Sequence, residues 1–131
     1  MVGANNQFSF TKLLVDDLEK CAVFYKEVCG LVETARVESE INGRAISEIL
    51  FSPTSEGGAT FVLLKFVDSP RPHNDEVING FLTDDVDAFC IRVEEAGGRV
   101  TQPPKAVPEH GVKVAFVEDV EGHLIEVVQL L

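Results

Sequence analysis

Acid/base chemistry in this chain would have to come from a short set of side chains: Glu126, Glu48, Lys12, Lys65 and the histidines His73, His110 and His123. Glu126 lies in Leu124-Ile125-Glu126-Val127-Val128, where strand alternation puts it on one face with Leu124 and Val128, opposite Ile125 and Val127. On an apolar surface, desolvation would raise its pKa and make it a proton donor or acceptor. The plainer reading is a carboxylate satisfied by neighbouring hydrogen bonds. His110, between Pro108-Glu109 and Gly111, reads as a loop histidine that either reaches a ligand or stays solvated. His123 follows Glu121-Gly122 and reads as turn chemistry, and His73 as a solvent-exposed linker residue. Lys12 shares a strand face with Phe10; it could pair with Glu126, orient an anionic group, or sit in water. Lys65 bears the same parity relation to Leu63. Glu48 alternates with Ile46 and Leu50, and Ser47 with Ile49 and Phe51, so either set could face a ligand. Arg36 and Arg44 could bind anionic groups at a rim, but isolated arginines more often read as solvated surface charges.

The rest of the composition narrows the function class. With 131 residues, 45% of them hydrophobic, the chain can close one core. No apolar run reaches the roughly 18 residues of a membrane span, and the first seven residues lack signal-peptide character, so a cytoplasmic protein without membrane contact is expected. A formal net charge of −11 without a basic cluster argues against nucleic acid as a partner. Cys21, Cys29 and Cys90 are odd in number, have no C-x-x-C spacing and fall inside helical apolar patterns, which predicts buried free thiols.

Two segments repeat one plan, beginning 68 residues apart at Val15 and Thr83. The first runs Val15-Asp16-Asp17-Leu18 to Cys29-Gly30-Leu31-Val32; the second runs Thr83-Asp84-Asp85-Val86 to Gly97-Gly98-Arg99-Val100. Each reads as strand, acidic cap, helix, glycine stop, strand. Asp16 with Glu19 three residues on suggests the first cap, Asp84 or Asp85 the second. Leu18, Cys21, Ala22, Tyr25, Val28 and Cys29 form one helical stripe, and Val86, Phe89, Cys90, Val93 and Ala96 the other. Turn signals then separate strands at Ala45 to Phe51, Thr60 to Val67, Val112 to Val117 and Leu124 to Leu130. The pattern is βαβββ twice, over about 6–68 and 75–131, joined by the proline-bearing Ser69 to Asn74 within one domain.

Val15-Asp16-Asp17-Leu18, Phe24-Tyr25, Cys29-Gly30-Leu31, Asp84-Asp85-Val86-Asp87, Ala96-Gly97-Gly98 and Ala115 to Glu126 together resemble the vicinal oxygen chelate (glyoxalase/bleomycin resistance/extradiol dioxygenase) superfamily. The resemblance spans nearly the whole chain. It implies an α+β fold in which two βαβββ modules form an open, cupped mixed β-sheet, with helices on the outer face and ligands inside the cup, and it implies a homodimer. Metal-dependent members hold a divalent ion with four inward side chains, usually His, Gln or Glu, and the ion acts as a Lewis acid. Carried over by position, those places fall on Phe10, Leu63 (or Leu64 with a one-residue slip), Ile78 and Glu126. Only Glu126 can ligate a metal, so neither a metal nor another cofactor is expected. A different set from His73, His110, His123, Glu48 and Glu126 shares no ligand spacing on one element.

The expected protein is therefore a metal-independent cup. It binds a small apolar or aromatic molecule through Phe10, Lys12, Leu63, Ile78 and Phe116, either sequestering it or converting it by isomerase- or lyase-type acid/base chemistry through Glu126 and His110. A metal-dependent lyase or dioxygenase with unusual ligands is the alternative. A non-catalytic structural or regulatory dimer is a second.

Overall fold

The structure, a computed structural model, describes residues 8–68 and 77–131. His73 and the expected linker lie outside the described residues. Strand β1 (Phe10–Leu14) leads into helix α1 (Leu18–Cys29), followed by β2 (Glu33–Ile41), β3 (Arg44–Phe51) and β4 (Thr60–Phe66). The plan repeats as β5 (Asn79–Leu82), α2 (Val86–Glu95), β6 (Arg99–Val107), β7 (Val112–Glu118) and β8 (Leu124–Leu130). Two βαβββ modules are thus present, as the repeat in the sequence requires.

Helix α1 begins one residue later than the sequence suggested, and α2 begins after the second of its two candidate caps. Asp17, not Asp16, caps α1 by accepting from the Lys20 amide at 3.0 Å, and Asp85 caps α2 from the Ala88 amide at the same distance. The capping box with Glu19 does not form; Glu19 pairs with Arg36 instead. Gly30 ends α1 in the left-handed region at φ 67°.

Each module folds into a four-stranded mixed sheet, ordered β1-β4-β3-β2 and β5-β8-β7-β6, in which the first strand lies parallel to the last and the remaining pairs are antiparallel. Strand β6 runs through Pro103 and Pro104, residues that by themselves argue against a strand. It is an edge strand with register shifts between Val100 and Lys105, a place where prolines without N–H groups are tolerated.

One face of each sheet is sealed by its helix. Leu13, Val15, Ile49, Phe51 and Leu63 meet Cys21, Ala22, Phe24, Tyr25 and Val28; Ala115, Val117, Ile125 and Val127 meet Val86, Phe89, Cys90 and Val93; the two sets merge into one cluster. Phe24, fully buried and absent from the predicted stripe, belongs to this junction: it lies against Gly98, where an added Cβ would come within 2.5 Å of the Glu118 carbonyl and 2.7 Å of the Phe24 ring. The two glycines after α2 therefore have different tasks. Gly97 turns the chain at φ 89°, and Gly98 lets β6 and α1 approach.

Candidate functional site

The opposite face of each sheet is left open, and strand alternation assigns its residues. In the first sheet the register Phe10↔Thr60, Lys12↔Val62, Leu14↔Leu64 and Glu48↔Leu64 puts Phe10, Lys12, Leu14, Glu48, Leu50, Val62 and Leu64 on this face. Leu63 points the other way, fully buried in the core, so the late-strand site residue named from sequence is corrected: Leu63 cannot line the cup. Lys12 does not reach Glu126. Its Nζ lies 2.5 Å from Oε2 of Glu48 and 5.6 Å from the centre of the Phe10 ring. The choice between Glu48 and Ser47 is thereby decided for Glu48, whose side chain is 9% exposed. Phe10, Lys12, Glu48, Leu50, Thr60 and Val62 line a cavity of about 280 Å³. Lys65, on the helix side, pairs with Asp16.

In the second sheet Glu126 lies between Phe116 on β7 and Gly80 on β5, half-buried, with Val128 and Leu124 on the same face. Gly80 presents no side chain, so the carboxylate has an apolar ring on one side and open space on the other. Ile78 precedes β5 and is 55% exposed. His110 sits in the turn Pro108–His110, next to the Val112↔Leu130 end of the ladder, whereas Glu126 pairs with Phe116. Four residues of strand, roughly 13 Å, separate those rungs, so one chain does not bring His110 to Glu126. The cavity at Phe10 is lined by first-sheet residues alone, and Glu126 is not among them.

Register also fixes the four places at which metal-dependent relatives would carry ligands. The Val15 amide donates to Leu64 and the Thr83 amide to Val128, so the two modules superpose with Leu64 on Val128 and hence Val62 on Glu126. The places are Phe10, Val62, Ile78 and Glu126. Three are hydrocarbon, and a lone carboxylate cannot supply the three or four protein ligands of a divalent site. These residues do not fit the ion.

A polar cluster joins the modules, and its centre is His123, which by its sequence position would be ordinary turn chemistry. His123, 4% exposed, places Nδ1 2.8 Å from Asp119 Oδ2 and Nε2 3.2 Å from the Leu14 carbonyl. Tyr25 donates its hydroxyl to Asp119 at 2.7 Å, and the Glu121 carboxylate accepts from the amides of Asp16 and Asp17 at 2.7 to 3.2 Å. Burial alone would raise the Asp119 carboxyl, but the hydrogen bonds from His123 and Tyr25 outweigh it and hold the group below its ordinary value. For His123 burial opposes the charge, yet Asp119 and the Leu14 carbonyl raise the imidazole above its ordinary value. Sequence offered one signal, the charged run Glu118-Asp119-Val120-Glu121-Gly122-His123, but not its partners in β1 and α1. All three cysteines are free, and burial pushes the thiols of Cys21 and Cys29 up, the latter to about 12, so neither is a thiolate nucleophile.

The profile of the Glyoxalase/Bleomycin resistance protein/Dioxygenase superfamily matches residues 7–127. The probable lactoylglutathione lyase of Vibrio cholerae is 28% identical over 127 residues, spanning 96% of this chain and 92% of that protein. The lactoylglutathione lyase of Salmonella typhimurium is 26% identical, with 91% and 89% spanned. Among solved structures, a glyoxalase family protein from Bacillus cereus superposes with a TM-score of 0.82 at 18% identity over 99% of both chains, a likeness of fold. TnmS3, an antibiotic binding protein from Streptomyces sp. CB03234, superposes with a TM-score of 0.72 at 26% identity, covering 99% of this chain and 100% of that one.

Proposed function

Because the chain belongs to the Glyoxalase/Bleomycin resistance protein/Dioxygenase superfamily but carries Phe10, Val62 and Ile78 at three of four ligand places, we propose that it is a metal-independent member. Its open faces bind a small apolar or aromatic molecule, for sequestration or for isomerase- or lyase-type acid/base conversion. The observation that carries this reading is the replacement of three ligands by hydrocarbon, which turns an ion site into the kind of surface organic ligands prefer. The likeness to an antibiotic binding protein supports binding as a use of this fold. Glu126, flanked by Phe116, is the candidate proton carrier.

A homodimer belongs to the same proposal. Phe10, Leu14, Ile78 and Leu82 are between 39% and 70% exposed, and a second copy would cover them while bringing a first-sheet face against a second-sheet face. His110 could act with Glu126 only across such an interface. A cytoplasmic location remains part of this reading; among the described residues no helix is long and apolar enough to cross a membrane.

The competing reading is a metal-dependent lyase like those named for the Vibrio and Salmonella relatives. It would need other ligands, and among the described residues no group of three His, Cys, Asp or Glu side chains is placed to hold an ion. The test is elemental analysis of protein purified without chelators, joined to calorimetric titration with manganese, nickel, zinc and iron. The expected result is no stoichiometric ion, with binding of apolar aromatics in a ligand screen. About one tightly held ion per chain, lost in Glu126→Ala, would overturn the proposal.

A further inference from the structure

Glu48 stands in an unusual state on the open face of the first sheet. Its side chain is 9% exposed, and its buried Oε2 meets the Lys12 ammonium in an ion pair at 2.5 Å, with no hydrogen bond from another group among the described residues. A buried carboxylate oxygen that rests on one partly exposed ammonium keeps a spare lone pair, which makes the group a ready acceptor. Lys12 is one-third exposed on a flexible stem and can swing aside, keeping donors of its own. Around the pair, Phe10, Leu50, Val62 and Thr60 complete a cavity of about 280 Å³, room for one ring or two fused rings.

Charge decides what fits. Lys12 and Glu48 cancel each other in a chain of net charge −11, so an anion would meet the Glu48 carboxylate without a spare counter-charge, and a cation would meet the Lys12 ammonium. A group that donates to the carboxylate and accepts from the ammonium satisfies both, and a neutral hydroxyl is the compact group that does so. The remaining walls are a phenyl ring, two aliphatic side chains and Thr60. We infer that this site recognises a neutral hydroxylated aromatic molecule, its hydroxyl inserted between Lys12 Nζ and Glu48 Oε2 and its ring against Phe10. The inference rests on the metal-independent binding function proposed above and names its ligand class; it also replaces the anionic ligand that Lys12 alone suggested.

The test is calorimetric titration of the full chain with 2-naphthol, 2-methoxynaphthalene, which accepts but cannot donate, and 2-naphthoate, an anion. Naphthol should bind about ten-fold more tightly than either analogue, the usual size of a hydrogen bond to a charged group. Glu48→Gln should remove about that factor for naphthol alone. The double variant Lys12→Met with Glu48→Leu, which leaves no unpaired charge to unfold the protein, should bind naphthol and methoxynaphthalene equally. Tightest binding of naphthoate, or naphthol binding untouched by these substitutions, would overturn the hydroxyl site while leaving an aromatic-binding protein standing. Binding of none of the three would overturn both.

Discussion

Nδ1 of His123 lies 2.8 Å from Oδ2 of Asp119, and the ring's other nitrogen faces the Leu14 carbonyl at 3.2 Å. Carboxylate and carbonyl are both acceptors, so the ring must supply two N–H donors, which only the imidazolium has. A buried ion pair from the β7–β8 turn is thereby hydrogen-bonded to the end of β1, and Tyr25 of α1 completes it. The modules are locked together by charge as well as by their shared core.

His123→Ala should lower the free energy of unfolding by about 3 kcal/mol, because it strands the fully buried Asp119 carboxylate. Tyr25→Phe removes one hydrogen bond to a charged group and should cost about 1.5 to 2 kcal/mol. Urea denaturation of both variants and of their double mutant should show coupling, since the two side chains share one acceptor. Additive losses would mean the cluster does not act as a unit.

The same pair sets a pH window. His123 has a folded-state pKa raised above its ordinary 6.5, so its contribution is complete below that value and is lost as pH rises through the raised one. Asp119 is lowered below 3.8, so its contribution is complete above that value and is lost as pH falls through the lowered one. The midpoint for urea unfolding should be highest between the two ranges and fall on the alkaline side, and that alkaline fall should shrink in His123→Gln.

Glu121 serves the start of α1 from the other module, accepting from two backbone amides. Glu121→Gln keeps one acceptor oxygen and should cost about 1 kcal/mol, whereas Glu121→Ala should cost about 2 kcal/mol by leaving the part-buried amides of Asp16 and Asp17 without their acceptor. Thermal denaturation distinguishes them. Equal losses would show that only the charge matters.

Gly98→Ala should destabilise by about 2 to 3 kcal/mol, since the new methyl would meet the Glu118 backbone at 2.5 Å and the packed Phe24 ring. At Gly111, with φ 67° and nothing within 4 Å, Ala brings backbone strain alone, about 1 kcal/mol. Comparing the two melting temperatures separates crowding from conformation.

Much of this protein was determined by local sequence. The duplicated run of strand, acidic cap, helix and glycine stop specifies both modules, because strand alternation, helical periodicity and capping are short-range properties that each segment carries by itself. The apolar identity of Phe10 and Ile78 is likewise explicit in the sequence. Tertiary structure decided which residues meet. A slip of one residue in β4 exchanges open face for core, and only the pairing with β1 and β3 shows that Leu63 is buried and that Val62 matches Glu126. The same pairing gave Lys12 to Glu48 instead of Glu126. His123 resembled a turn residue because its acceptor in β1 lies 109 positions away, and Asp119 finds its tyrosine 94 away. Contacts at such separation depend on how two modules dock, and no local pattern encodes that.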